Sequence, residues 1–196
     1  MAAKVMNILL AGVGGQGTVL AGKLLGEVAL QAGLDVKVSE IHGMAQRGGG
    51  VVTQVRIGEK VFSPVIPQGT ADALVAFEKL EALRWLPYLK AEGLLIVNNQ
   101  SIDPLPVITG AAEYPEGILE RIKESVSHAI IVRALDTALS CQNTKGVNMV
   151  LLGILAQRWG AISKDIWLRA LAHVVKPHTL EANNRAFEAG IALAQS

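Results

Sequence analysis

The stretch that most limits the fold lies near the start of the chain. A short apolar run at residues 5–11 leads directly into Gly12-Val13-Gly14-Gly15-Gln16-Gly17. Leu20, Leu24 and Val28 then recur at helical spacing, and Gly33 is a natural stop. An apolar run without alternation reads as a strand buried on both faces, and apolar residues three or four apart read as one face of a helix. Residues 34–41, Leu-Asp-Val-Lys-Val-Ser-Glu-Ile, alternate and carry β-branched side chains, which predicts a second strand parallel to the first through a helical crossover. Strand, glycine turn, helix and strand make a Rossmann-like βαβ unit. Gly22 and Gly26 weaken the helix, so close packing against the sheet is the expected reason for them.

The rest of the chain extends this pattern. Residues 51–57 alternate with period two, and Gly58-Glu59 separates them from Lys60-Val61-Phe62-Ser63, which predicts a β-hairpin and hence a mixed sheet. Residues 64–72 hold two prolines and read as a surface loop. Further strands are expected at 71–77, 93–99 and 129–134, and helices at 78–89, 115–125, 147–159, 164–175 and 180–194. Residues 101–115 form a proline-containing excursion. Strands alternating with helices predict a single α/β domain over residues 1–196, a three-layer α/β/α sandwich with a mixed, mainly parallel sheet. Ligands of such folds bind beyond the carboxyl ends of the strands. The glycine-rich loops after the first and second strands both fall at that edge and are expected to be neighbours.

Gly12, Gly14 and Gly17 fit the spacing of a dinucleotide turn, and Glu40 near the end of the second strand is placed to meet a ribose. Bare backbone lets amides approach a phosphate, and the helix N-terminus adds partial positive charge. The alternative is a tight turn that only lets the helix pack. Gly15 and Gln16 lean away from simple NAD binding, because they add a flexible residue and a polar amide that a dinucleotide turn does not require. The second loop, His42-Gly43-Met44-Ala45-Gln46-Arg47-Gly48-Gly49-Gly50, presents polar side chains on permissive backbone. Arg47 suits a phosphate or carboxylate, or a salt bridge to Glu40 or to a partner's carboxylate. His42 suits a proton shuttle, or a structural histidine bonded to loop carbonyls; Met44 is an apolar contact or a core filler.

Other chemistry is sparse. The formal net charge is +1 and the basic residues are scattered, so no nucleic-acid footprint is visible. No apolar run reaches the roughly 18 to 20 residues that span a bilayer, and a cytoplasmic protein is expected. Cys141 is the only cysteine, which excludes an intrachain disulfide and a four-cysteine metal or cluster site; it reads as a small buried hydrophobe. His173, His178 and Glu181 lack metal-helix spacing, His128 is expected at the surface, and no metal site is expected on this chain. Trp85, Trp159 and Trp167 lie on amphipathic helices and are expected in the core or an interface. Walker, nucleophile-elbow and paired-carboxylate patterns are missing. Hydrophobic residues make up 51% of the chain and charged ones 18%, an apolar balance that fits a surface covered by a partner.

The stretches Ala-Gly-Val-Gly-Gly-Gln-Gly-Thr-Val-Leu-Ala from residue 11, Ser-Glu-Ile-His-Gly-Met-Ala-Gln-Arg-Gly-Gly-Gly from 39, and Ser-Pro-Val-Ile-Pro-Gln-Gly-Thr-Ala-Asp from 63 form a distinctive set. With Ala-Phe-Glu-Lys-Leu-Glu-Ala-Leu-Arg from 76, Lys-Gly-Val-Asn-Met-Val-Leu-Leu-Gly from 145 and Asn-Asn-Arg-Ala-Phe-Glu-Ala-Gly from 183, they resemble the β subunits of indolepyruvate:ferredoxin oxidoreductases. Those correspond to the γ subunit or domain of the wider 2-oxoacid:ferredoxin oxidoreductases, some of which act on pyruvate or other 2-oxoacids. The resemblance runs from about residue 7 to 190. It implies a subunit inactive alone, in a complex that converts an aryl 2-oxoacid and coenzyme A to aryl-acetyl-CoA and carbon dioxide while reducing ferredoxin. Thiamine diphosphate, magnesium and [4Fe–4S] clusters would belong to a large α subunit. The absence here of cluster cysteines and of a Gly-Asp-Gly thiamine motif agrees. By the same resemblance Gly14, Gly15, Gln16, Gln46, Arg47 and Gly48 are candidate contacts to a cofactor or co-substrate, joined by Gly12, Gly17 and Glu40 from the glycine pattern, and His42 and Arg47 are candidate catalytic groups. The competing reading is a stand-alone NAD(P)-binding protein built on Gly12–Gly17 and Glu40.

Overall fold

A computed structural model describes residues 5–43 and 49–195, with the His42 side chain outside the described part. Strand β1 (Met6–Val13) leads through the glycine turn to helix α1 (Thr18–Gln31), and strands β2 (Asp35–His42) and β3 (Gly50–Gly58) follow. Strand β4 (Ala71–Ala76), helix α2 (Lys79–Trp85), a 3-10 turn at Leu86–Tyr88 and strand β5 (Leu89–Asn98) come next. Helices α3 (Leu105–Ile108) and α4 (Ile118–Ser125), strand β6 (Ala129–Val132) and helix α5 (Ala134–Ser140) precede three closing helices. These are α6 (Val147–Trp159), α7 (Lys164–Val174) and α8 (Leu180–Leu193).

The strands form one sheet in the order β2-β3-β1-β4-β5-β6. Strands β1, β4, β5 and β6 pair in parallel, and β3 is antiparallel to both its neighbours. The sheet is therefore mixed and mainly parallel, as expected. Strand β2 runs in the same direction as β1, as the helical crossover requires, but β3 lies between them. Met6 to Val13 pair with Ile57 to Gly50, and Asp35 to His42 pair with Gly58 to Val51.

The predicted hairpin partner at residues 60–63 is not a strand. The chain instead crosses the sheet face as a loop, held because Arg56 Nη1 donates to the carbonyls of Ser63 and Val65, and Gln54 Oε1 accepts from the Ile66 amide at 2.6 Å. The antiparallel partners of β3 are β2 and β1. The helix expected at 78–89 stops at Trp85, because Pro87 cannot continue the ladder and the chain tightens into the 3-10 turn.

Apolar cores fill both faces of the sheet. On one side Ile8, Leu10, Val55, Val75 and Ile96 meet α1, α6, α7 and α8; on the other Leu9, Ala11, Val52, Leu74 and Leu95 meet α2 and α4. Trp167 is buried, stacked on Phe187 at 5.6 Å and edge-on to Trp159 at 6.4 Å, so these aromatics belong to packing. Half-buried Trp85 lies 5.0 Å from Tyr88. Cys141 caps α5 and packs half-buried against the first core. Gly22 has the expected packing reason, since a Cβ there would sit 2.8 Å from Thr53 Cγ2; Gly26 faces open space, and no packing contact explains it.

Candidate functional site

The turn after β1 owes its shape to glycine. Gly15 and Gly17 take φ of +95° and +84°, a region that costs other residues about 1–2 kcal/mol. Gly12 is buried in β1, where a Cβ would lie 3.0 Å from both Gln16 Oε1 and Phe77 Cβ. Gly17 caps α1, and Asn148 at the start of α6 crowds it, with Nδ2 donating to the Gly17 carbonyl at 3.4 Å.

Backbone amides of the turn divide into two groups. The Val13 amide donates to Gln16 Oε1 at 2.8 Å, Gly14 to the Gly49 carbonyl at 3.1 Å, and Gln16 to the Val13 carbonyl at 3.1 Å. Those of Gly15, Gly17, Thr18, Val19 and Leu20 have no partner among the described residues. Unpaired amides at a helix start, with the helix dipole behind them, favour a negative group. The Gly14–Gly49 bond joins the two glycine-rich loops, so they are the neighbours the topology predicts.

The chain leaves β1 toward β2 and β3 and later returns to the other side at β4. The crevice of a doubly wound sheet therefore opens between the carboxyl ends of β1 and β4. Here the protein fills it with its own side chain. Gln16 Nε2 donates to the Phe77 carbonyl at 2.9 Å and contacts Gln100 Oε1 at 3.5 Å. Buried Asn98, the last residue of β5, donates through Nδ2 to the same carbonyl and to Gln100 Oε1, each at 3.0 Å, and its Oδ1 accepts from the Ala134 amide at 3.0 Å. A seam of amides thus ties together the carboxyl ends of four strands.

Next to the seam, Glu78 is buried and caps α2 by accepting from the Glu81 amide at 2.9 Å; it also accepts from the Ile102 amide and the Tyr114 hydroxyl. Burial, then the hydrogen bond to Glu78, pushes the Tyr114 hydroxyl above its ordinary range. Burial likewise raises the Glu81 carboxyl, against the opposing pull of Arg84, whose Nη1 lies 2.7 Å from Glu81 Oε1. The other oxygen, Oε2, is buried without a hydrogen-bond partner among the described residues, beside Gly50 at the start of β3.

Two clefts flank the turn. One of about 400 Å³ is lined by Gly14, Gly15, Gly17, Thr18, Lys23 and Val51; the other, of about 410 Å³, by Gly15, Gln16, Gly17, Gln100, Lys145 and Asn148 among others. Each carries a lysine and no acidic side chain. A larger cavity of about 500 Å³ lies at the opposite end of β1, between Met6, Leu34, Ile57 and Trp159, away from the turn.

Several expected site residues come together and others do not. Gly12, Gly14, Gly15, Gln16 and Gly17 converge, but the Gln16 amide is used at both ends within the chain. Gln16 also lines the second cleft. Glu40 is exposed on the sheet edge opposite Thr53, which in turn faces Leu10. It stands two strand spacings, about 10 Å, from β1. The inserted β3 therefore separates the two halves of the dinucleotide pattern. Gln46, Arg47 and Gly48 lie outside the described residues, as does the His42 side chain. Sequence reasoning missed Phe77, Asn98, Gln100 and Asn148. The available signal was the pair Asn98-Asn99 ending a strand that is otherwise apolar.

Among the described residues no three histidine, cysteine or carboxylate side chains gather where a metal could bind. No described helix is long and apolar enough to cross a membrane.

Comparison with known proteins places this geometry. The profile of the pyruvate ferredoxin/flavodoxin oxidoreductase family matches residues 7–193. The indolepyruvate oxidoreductase subunit IorB of Thermococcus kodakarensis is 39% identical over 198 residues, covering 98% of this chain and 97% of the relative. Its namesake from Archaeoglobus fulgidus is 36% identical over 191 residues, with 94% and 93% covered. Among solved structures, the γ subunit of a keto/oxoacid ferredoxin oxidoreductase from Geobacter sulfurreducens shares the fold, with a TM-score of 0.73 at 24% identity over 97% of this chain and 98% of that one. The 2-oxoglutarate:ferredoxin oxidoreductase of Magnetococcus marinus, solved with 2-oxoglutarate, coenzyme A and succinyl-CoA bound, gives a TM-score of 0.74 at 26% identity. The match covers 98% of this chain and 31% of that one.

Proposed function

The chain belongs to the pyruvate ferredoxin/flavodoxin oxidoreductase family, and we propose that it is the small subunit of an indolepyruvate, or more broadly aryl-pyruvate, ferredoxin oxidoreductase. The observation that carries this reading is the 39% identity, end to end, with a protein named as a subunit of that enzyme. In the complex, one aryl 2-oxoacid and one coenzyme A give aryl-acetyl-CoA, carbon dioxide and a proton, and two electrons pass singly to two ferredoxins.

Residues 1–196 act as one domain of the γ type, in the cytoplasm, alongside a large α subunit. A [4Fe–4S] cluster needs four thiolates, and the lone half-buried Cys141 does not fit one. Thiamine diphosphate, magnesium and clusters are therefore assigned to the partner, where they supply the carbanion and one-electron chemistry. This chain contributes its glycine edge. The amides of Gly15 and of residues 17–20, which have no partner among the described residues, hold with Arg47 the phosphates of coenzyme A or the carboxylate of the 2-oxoacid, and the two clefts give those groups room. A stand-alone dinucleotide site finds less support, because Gln16 occupies the crevice and Glu40 stands across β3.

Co-expression with a large subunit, followed by an anaerobic ferredoxin-reduction assay with indolepyruvate, pyruvate and 2-oxoglutarate, tests the reading. Indolepyruvate is expected to give the highest kcat/KM, and omission of this chain is expected to abolish turnover. An active complex without it defeats the assignment. In the same assay Arg47→Ala is expected to raise KM for either coenzyme A or the 2-oxoacid about tenfold, the loss of one charge-assisted hydrogen bond. Unchanged constants for both substrates would remove Arg47 from the site.

A further inference from the structure

We propose that Gln16 is a positioning residue: its side-chain amide sets the glycine turn whose backbone amides face the substrates. The proposal rests on the reading that this turn borders the active site of the complex. Gln16 stands between two residues with positive φ, Gly15 and Gly17, in the part of the backbone with the greatest intrinsic freedom. Two contacts remove that freedom. Oε1 closes a ring onto the Val13 amide at 2.8 Å, and Nε2 crosses to the Phe77 carbonyl at 2.9 Å, on the neighbouring strand's end.

The anchor is itself held. Phe77 donates its own amide to the Ala11 carbonyl at 2.8 Å, and its carbonyl also accepts from Asn98. Gln16 therefore ties a pliable turn to a rigid point, so that the amides of Gly15 and of residues 17–20 keep one direction before any ligand arrives. Preorganised donors of this kind strengthen binding by lowering the ordering cost.

The latch needs both chemical ends of the amide. Methionine matches the length without either hydrogen bond. Glutamate keeps the acceptor for Val13 but sets a carboxylate oxygen against the Phe77 carbonyl. Asparagine is one methylene too short to span both. The same side chain blocks the crevice between β1 and β4, so a dinucleotide could lie there only after displacing it.

The test uses the co-expressed complex and whichever 2-oxoacid the wild type oxidises, so that a wrong substrate assignment is read from the wild type and not from the variants. Gln16→Met is expected to raise KM for coenzyme A or the 2-oxoacid about tenfold, with kcat within about threefold. Gln16→Glu is expected to raise it further. Amide hydrogen exchange at residues 13, 14 and 16 of the complex, the bonded amides of the turn, should quicken in both variants. If Gln16 only fills space, Gln16→Met will match the wild type in KM and exchange, which overturns the proposal. Faster exchange at unchanged KM also overturns it, since the turn would then be loosened without the substrates sensing it. A fall in kcat that merely tracks loss of assembled complex assigns Gln16 to stability and overturns it as well.

Discussion

Replacing Gly190 or Gly153 by alanine is expected to cost the fold about 3 kcal/mol or more, the upper range for overpacking a core. Helices α6 and α8 touch backbone to backbone at these two points. A Cβ on Gly153 would fall on the Phe187 carbonyl oxygen and 3.0 Å from the Ile191 amide; one on Gly190 would fall on the Val150 carbonyl oxygen and 3.0 Å from its Cα. Neither obstacle is a side chain that could rotate away, so the helices must separate. Separation opens gaps around Phe187, Val150 and Ile154, all fully buried in the core that backs β1. The measurement is thermal unfolding followed by circular dichroism, with an expected fall in Tm of about 6–12 °C for either variant. Gly26→Ala is the control. It lies in the interior of α1 facing open space, so there the alanine is expected to stabilise by about 0.5–1 kcal/mol. If the α6 and α8 variants melt like the wild type, those helices are not in contact as described.

Asn98→Leu is expected to cost about 3 kcal/mol for a different reason. Leucine is close in size but strands the buried Ala134 amide and removes the second donor to the Phe77 carbonyl. An unsatisfied buried group costs about 1–3 kcal/mol, and this substitution affects more than one. Asn98→Asp separates the two halves of the effect. It keeps the acceptor for Ala134 but turns an oxygen toward Phe77 and Gln100, so it should also destabilise, while Asn98→Ala leaves the same orphans plus a cavity. Chemical denaturation at constant slope is the suitable readout. A leucine variant as stable as the wild type would mean that the seam contributes nothing to holding β4, β5 and β6 together.

Local pattern made much of this fold legible. Helix α6 lies at Val147–Trp159, as its apolar residues predict, and β1, α1 and β2 follow in the expected order. What the sequence hid is non-local. Nothing in residues 50–58 says that they insert between β1 and β2, because strand order is decided by which edges meet and not by periodicity. The false strand at 60–63 has a similar origin. Val61 is buried and Phe62 is exposed, which imitates strand alternation, yet side chains from β2 and β3 secure this segment. Of the site, the glycines were readable because positive φ and close approach demand them. The role of Gln16 was not, since its partner Phe77 lies 61 residues away and offers only a backbone carbonyl.

The place of β1 in the sheet also bears on the order of assembly. It lies at the centre, with Ile8 opposite Val55 on one side and Ala73 on the other. Strand β1 therefore leaves a ribosome before either of its partners, and its Ile8-Leu9-Leu10 run stays uncovered until β3 and β4 have followed. Loop-closure entropy makes such distant pairing slow, and an uncovered apolar strand is prone to wrong contacts while it waits. Production of this subunit is thus most vulnerable during synthesis, before the β2–β3 hairpin and β4 close around it.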